Sequence, residues 1–306
     1  MMYVHSKNRN WETEFAEWSR SPDQTQLEKC ERAVQGIKLS IEKHAPFRGL
    51  SISTFAQGSY KNRTNVRKES DVDTCVLCTN VFLYSLPTGV TLEAVNASPI
   101  EFTYSYYKNE VEMALRNHFG YTHVTRGNKA FDIHETVYRV DADAAPCFEY
   151  RQYFRDSFGA LKYFLGTALI TDQGQNRITN FPEQQHRNGV IKNDETGRRF
   201  KKAVRIIKCL RNEMDKLSVP QAKTIPSYLI ECIIWNVPNM IFNHITLRGM
   251  VNDLLAHIWV ATQNDQSCAG WMEENNIKYL FGPHQEWTRQ QVNDFIAAAW
   301  TYIENQ

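Results

Sequence analysis

QGSYKNRTNVRKESDVDTCV, residues 57–76, sets a Gly-Ser pair ahead of a polar, basic loop and an Asp-Val-Asp that opens an apolar run. DVDTCVLC has the composition of a strand, and SISTFAQGSY before it reads as a short strand entering a turn. Side chains on a strand alternate between faces, so Asp71 and Asp73 share one side and Val72 and Thr74 the other. Two carboxylates so close repel each other. A divalent cation with oxygen ligands, magnesium first, removes that penalty. Two such ions can clamp the attacking and leaving oxygens of a phosphoryl displacement, an arrangement that calls for a third carboxylate.

TVYRVDADAAPCF offers one. On a strand predicted from Thr136 to Ala144, Arg139, Asp141 and Asp143 share a face, and either acid could stand beside the first pair. Gly58 lets the backbone turn tightly and brings its N–H close to a phosphate, and Ser59 can hydrogen-bond the same group. Lys61, Arg63, Arg67 and Lys68 add positive charge where a triphosphate would lie. Taken singly, each feature is as readily a solvated basic loop or a surface acid. The ordered set is more specific: Gly-Ser, then Asp-x-Asp twelve residues after Ser59, then a strand acid followed by proline.

The chain has 306 residues, room for one large or two modest domains. A net charge of +1 argues against a general nucleic-acid coat protein. The first residues, MMYVHSKNRNWETEF, hold no apolar signal region, and no stretch is long and apolar enough to span a bilayer. Seven scattered cysteines fit a reducing, cytoplasmic setting. Cys75 and Cys78 form a lone CxxC inside a strand-like run and read as small packing residues. No Cys/His spacing fits a zinc site.

Ser21-Pro22-Asp23-Gln24 predicts a capped start for a long amphipathic helix carrying Leu27, Cys30, Val34, Ile37 and Ile41. A helix follows over 104–119 with Gly120 as its C-cap. Strands are predicted over 129–134 and 136–144, and a hairpin around Asp172-Gln173-Gly174. After Pro182 a polar stretch leads into helices near 198–217, 226–236, 246–262 and 288–304, the last with a Thr288/Gln291 capping box. Strands early and helices late make an α+β pattern. The expected division is 1–185 and 186–306.

The Gly-Ser, Asp-x-Asp and third-acid pattern resembles the DNA polymerase β-like nucleotidyltransferase superfamily. RGNKAFDIHETVYRVDADAAPCF resembles the strand pair ending in its third acid. NFPEQQHRNGVIKNDETGRRFKKAVRIIKCLRNEM and IPSYLIECIIWNVP resemble the entry to the helical half of the bacterial cGAS/DncV-like enzymes, the CD-NTases, which make cyclic oligonucleotide signals in anti-phage defence. The resemblance covers about residues 50–240. It implies a nucleotidyltransferase core with a mixed sheet and a long N-terminal spine helix, facing a C-terminal helical lobe across a nucleotide cleft. It implies Asp143 as the third acid, with Asp71 and Asp73 binding two Mg²⁺ ions, or Mn²⁺ in their place. Gln57, Gly58 and Ser59 join the nucleotide contacts. On the helix near 198–217, Lys208 occupies the place that reaches the donor triphosphate, and Arg205 is a weaker candidate. Ser227 matches a phosphate contact, and Tyr228 a ring that stacks on the donor base. His186, Asn188 and Lys192 belong to a family motif without a role read from the residues.

The implied substrates are NTPs and the implied product a cyclic di- or trinucleotide, read by a separate effector outside any stable complex. A monomer is expected. With no zinc ribbon and no basic N-terminal tail, activation by duplex DNA is not expected. The rival readings are a transferase acting on RNA ends, proteins or small molecules, and a nucleotide- or RNA-binding module without catalysis. The residues leave open base identity, linkage and ring size.

Overall fold

A computed structural model describes residues 9–66, 71–95 and 102–305. The chain divides into two compact units. One, the sheet unit, contains residues 23–61, 71–95 and 102–183; the other, the helical unit, contains 9–22, 62–66 and 184–305. The helical unit therefore takes two pieces of chain from ahead of residue 185, α1 and the segment that follows the Gly-Ser motif.

In chain order the elements are α1 (Trp11–Trp18), α2 (Gln24–Glu42), β1 (Ile52–Ala56), α3 (Gly58–Asn62), β2 (Val72–Ser85), α4 (Tyr104–Phe119), β3 (Val124–Arg126), β4 (Phe131–Ile133), β5 (Ala142–Arg155), β6 (Leu161–Ile170) and β7 (Arg177–Asn180). The helices α5 (Pro182–Glu195), α6 (Phe200–Lys216), α7 (Pro220–Lys223), α8 (Ser227–Trp235), α9 (Leu247–Ala261) and α10 (Arg289–Glu304) follow. The spine helix α2 is capped by Asp23, whose side chain accepts from Gln26 N, and not by Ser21. Thr288 and Gln291 do form the capping box of α10.

The sheet runs β1-β2-β5-β4-β3, with β6 on the far half of β5 and β7 beyond it. β2 and β5 are parallel and the remaining pairs antiparallel, which makes the sheet mixed. On one face, Val72, Val76, Ala142, Ala144, Phe131 and Ile133 join a core with Cys30, Ala33, Ile37 and Ile41 of α2 and Tyr107, Val111 and Leu115 of α4. Tyr107 Oη donates to Val76 O and Tyr104 Oη to Pro146 O, fixing α4 against both central strands. Cys75, Cys78 and Cys147 are buried free thiols in this core, so the CxxC is packing.

The helical unit is built on α6. Its Phe200, Ala203, Val204, Ile207, Leu210 and Met214 are fully buried at the three- and four-residue spacing of one helix face. A side chain such as Leu210 or Ile207, fully buried, contributes about 1.5–3 kcal/mol. α1 packs Trp11 and Phe15 into the same core. Trp11 Nε1 donates to Ile303 O at 2.9 Å. Glu12 caps α9, accepting from Leu247 N and Arg248 N, where a carboxylate meets the positive end of the helix. Residues 182–195, read from sequence only as a polar lead-in, form α5. Of this helix only Gly189 is buried, so it carries no apolar stripe to announce it. Among the described residues no helix is long and apolar enough to cross a membrane.

Candidate active site

Register puts the acids together. Asp73 on β2 pairs with Asp143 on β5, and Asp143 pairs on its other side with Asp132 on β4. Neighbours directly across strands project to the same side. The three carboxylates therefore form a row across the sheet, opposite the face that α2 and α4 cover. Asp71 lies exposed just ahead of β2.

Burial pushes the Asp143 carboxyl up to about 7, helped by a hydrogen bond with Asp132 and by the charges of Asp73 and Asp71. The like-charge crowding expected from the sequence is present as the lesser contribution, with one acid more. Asp132 was missed because its place beside Asp143 depends on an antiparallel register that no local pattern reveals. The alternation Phe131-Asp132-Ile133 was the available signal.

Asp141 is placed differently from expectation. β5 begins at Ala142, and the preceding residues turn rather than continue a strand. The Asp141 carboxylate accepts from Glu135 N at 2.5 Å and so closes that turn. Asp143 is the acid on the strand.

The Gly-Ser pair opens α3, and Gly58 meets the acids directly. Its φ is +62°, and a Cβ there would stand 2.1 Å from Asp73 Oδ2. Only glycine permits both the conformation and the close approach. Gln57 N donates to Asp73 O at 2.8 Å, joining β1 to β2 at this point. Ser59 is half-buried on the first turn of α3. Arg67 and Lys68 lie outside the described residues.

The expected divalent ions can be tested against this donor set. It consists of carboxylate oxygens, which suit magnesium or manganese, and the like charges of Asp73, Asp132 and Asp71 around Asp143 are what a cation would relieve. Residue type and register fit. The carboxylates as they stand do not close on one point: among the described residues no three His, Cys, Asp or Glu side chains form a metal-holding group.

In the helical unit the expected contacts separate. Ser227 is exposed at the start of α8, and Arg211 Nη2 donates to its Oγ at 2.6 Å. Arg211 Nη1 donates to Ile225 O at 3.0 Å. Tyr228 is half-buried, its hydroxyl donating to the buried Glu273 at 2.9 Å and its ring 6.3 Å from that of Trp287. Asn275 and Gln285 also donate to Glu273, so the phenol is held by a fixed network.

Lys208 and Arg205 both meet main-chain carbonyls inside the helical unit. Lys208 is 2% exposed and donates to Glu231 Oε1 at 2.5 Å and Thr64 O at 3.2 Å. Arg205 is 5% exposed and binds the carbonyls of Ser19 and Arg63. Both lie on buried positions of α6, and the basic stripe read as a solvated or ligand-facing surface is partly interior. Arg211, three residues beyond Lys208, is the cation of this helix that reaches Ser227.

Comparison with known proteins settles the family. A family profile described as the cGAS/DncV-like nucleotidyltransferase C-terminal helical domain matches residues 187–304. A cyclic dipyrimidine nucleotide synthase, CdnE, of Legionella pneumophila is 41% identical over 297 residues, covering 96% of this chain and 98% of that protein. The chain belongs to the cGAS/DncV-like nucleotidyltransferases. Within them this CD-NTase falls among the CdnE cyclic nucleotide synthases. The CdnE of Cecembia lonarensis, also a cyclic dipyrimidine nucleotide synthase, is 33% identical over 96% of this chain and 98% of its own length. The solved Elizabethkingia meningoseptica CdnE cyclic dinucleotide synthase, with GTP and Apcpp, superposes with a TM-score of 0.80. The two are 28% identical over 97% of this chain and 99% of that one. The Rhodothermus marinus c-UMP-AMP synthase, with Apcpp and Upnpp, also reaches 0.80, at 26% identity over 95% and 96% of the two chains. This CD-NTase thus has the α+β fold of enzymes captured with nucleoside triphosphates and their analogues.

Proposed function

We propose that the protein joins two pyrimidine nucleoside triphosphates into a cyclic dinucleotide, releasing two pyrophosphates, and that the product signals to a separate effector in defence against phage. The row Asp73–Asp143–Asp132 beside Gly58 is the observation that carries the chemistry. The pyrimidine preference is supported by the two dipyrimidine synthases at 41% and 33% identity; a dipurine synthase stands at 31%.

Asp71, Asp73 and Asp143 are the residues that would hold two Mg²⁺ ions, with Asp132 orienting Asp143. Such ions, when bound, lower the pKa of an acceptor hydroxyl and neutralise the triphosphate. Gly58 leaves room for Asp73 and lets the backbone approach a phosphate; Ser59 offers a hydroxyl to it. In the helical unit, Ser227 and Arg211 are assigned to donor phosphate and the Tyr228 ring to the donor base, where stacking tolerates any base. Fixed dipoles and cations around the phosphates stabilise the charge that develops as the hydroxyl attacks the α-phosphorus and pyrophosphate leaves.

The test is incubation with all four NTPs and Mg²⁺ or Mn²⁺, then phosphatase treatment and mass spectrometry. A phosphatase-resistant mass of a cyclic dipyrimidine, lost on chelation and in Asp73→Asn, is the expected result. A purine-only product overturns the base assignment. Linear or macromolecule-linked products overturn cyclisation.

A further inference from the structure

The chain enters the helical unit at the last residue of α3, and the residues that follow are held by side chains more than a hundred positions away. Asn62, Thr64, Asn65 and Val66 are buried. His186 Nδ1 lies 3.1 Å from Asn62 Oδ1. Arg205 Nη1 donates to Arg63 O at 2.6 Å, while its Nε and Nη2 donate to Ser19 O. Lys208 Nζ donates to Thr64 O, and Glu231, also 2% exposed, neutralises it. Arg63 adopts φ +55°, a left-handed conformation costing a non-glycine residue about 1–2 kcal/mol. It persists where the surroundings impose it.

A buried ion pair is a poor way to gain stability, because desolvating both charges offsets their attraction. An apolar pair of similar volume often does as well. What Lys208 and Arg205 add is direction: each places one N–H on a main-chain carbonyl of the same short segment, Arg205 Nη1 on Arg63 O and Lys208 Nζ on Thr64 O. Three and four residues upstream of Asn62 stand Ser59 and Gly58, on the same single helix.

We propose that Arg205 and the Lys208–Glu231 pair are positioning residues for nucleotidyl transfer, holding the main chain at Arg63–Thr64 and so fixing the end of the short helix that begins with Gly58 and Ser59. The proposal rests on the reading of Gly58 and Ser59 as the phosphate-receiving turn. It gives the two cations a role in the reaction without contact with nucleotide.

Lys208→Met/Glu231→Leu tests it. Removing both charges at near-constant volume spares the fold the cost of one unpaired buried charge. Three quantities are read: melting temperature, hydrogen–deuterium exchange at 58–66 without nucleotide, and kcat and KM for NTP. The melting temperature is expected to stay near wild type. Exchange at 58–66 should rise about tenfold or more, and kcat should fall about 100-fold, the cost of a displaced reacting group. Wild-type turnover in the double variant overturns the proposal and leaves the pair purely structural. Lost turnover with unchanged exchange also overturns it, in favour of direct nucleotide contact by Lys208. Should the double variant not fold, Arg205→Lys, which keeps a buried cation but shortens its reach to Arg63 O, is read by the same three quantities. Absence of product from the wild-type protein overturns the nucleotidyl-transfer reading itself, whereas loss confined to the variants concerns only these residues.

Discussion

The sheet unit and the helical unit each gather charge, on opposite terms. Across β2, β5 and β4 stand carboxylates of one sign, Asp73, Asp143 and Asp132, partly open to water. Inside the helical unit, Lys208 meets Glu231, with Glu274 close by, and all three are buried. The first group crowds like charges together, a repulsion that an added cation would relieve. The second already holds a counter-charge and spends it on fixing backbone. Removing one acid from the row should thus lower function and leave the fold intact, whereas removing one member of the interior set leaves its partner buried and unpaired and should cost stability.

The comparison breaks first at Asp73. Asp73→Asn should lower cyclic-nucleotide formation by about a thousandfold or more, as removal of a metal-binding acid does. Its melting temperature should hold or rise, because one like charge leaves the row. A variant that melts early yet keeps its turnover would reverse the contrast. Gly58→Ala comes next. The added Cβ collides with Asp73 Oδ2 at a backbone angle unfavourable to alanine, and about a hundredfold loss of kcat is expected. A shift in the Mg²⁺ concentration needed for half-maximal rate is expected with it. Unaltered metal dependence would separate Gly58 from the acids.

The interior side is sharpened by pH. Burial and the charge of Glu231 push the Glu274 carboxyl up from 4.5 to about 8. Gln185, Lys208 and Lys201 oppose the shift only in part. The unfolded chain therefore releases this proton at lower pH than the folded one. Stability should fall as pH rises between those two values and level off above the higher. Scanning calorimetry from about pH 5.5 to about pH 8 should show a steeper loss of melting temperature in the wild type than in Glu274→Gln, which is neutral throughout. Equal slopes would remove Glu274 as the cause. The smallest effect is expected at Tyr228. Tyr228→Phe removes the bond to Glu273 and keeps the ring, so about 1 kcal/mol of stability should be lost. KM for the donor nucleotide should change less than twofold to threefold. A much larger change in KM would give the hydroxyl, rather than the ring, the role in binding.

The sheet side was the more legible from sequence. Alternation in DVDTCV places Asp71 and Asp73 with the chain alone, and Ala142 to Pro146 carries the third acid in the same way. Asp132 was not readable, because a three-residue strand has too little pattern to set its own register. Asp141 was misread by extending a strand back through Val140, where the chain in fact turns. In the helical half the periodicity of α6 was plain, yet the stripe of Lys201, Arg205 and Lys208 did not announce which cations face inward. That is decided by carbonyls from residues 63 and 64 and by a glutamate on α8. Arg211 lay on the same helix and differed from Lys208 only in what it meets. Composition and spacing report what a residue can do; burial, set by distant chain, selects which of those things it does.

The three-piece construction of the helical unit has a practical consequence. A fragment cut at the α5 boundary, or a chimera that exchanges everything after Pro182 with a relative, would separate α6 from Trp11, Phe15 and Thr64. It would expose an apolar groove, strand Arg205 without acceptors and leave Lys208 with Glu231 alone. Recombination among such synthases should respect the interleaving, carrying 9–22 and 62–66 along with the helices. A graft so drawn takes with it the handle on the Gly-Ser turn.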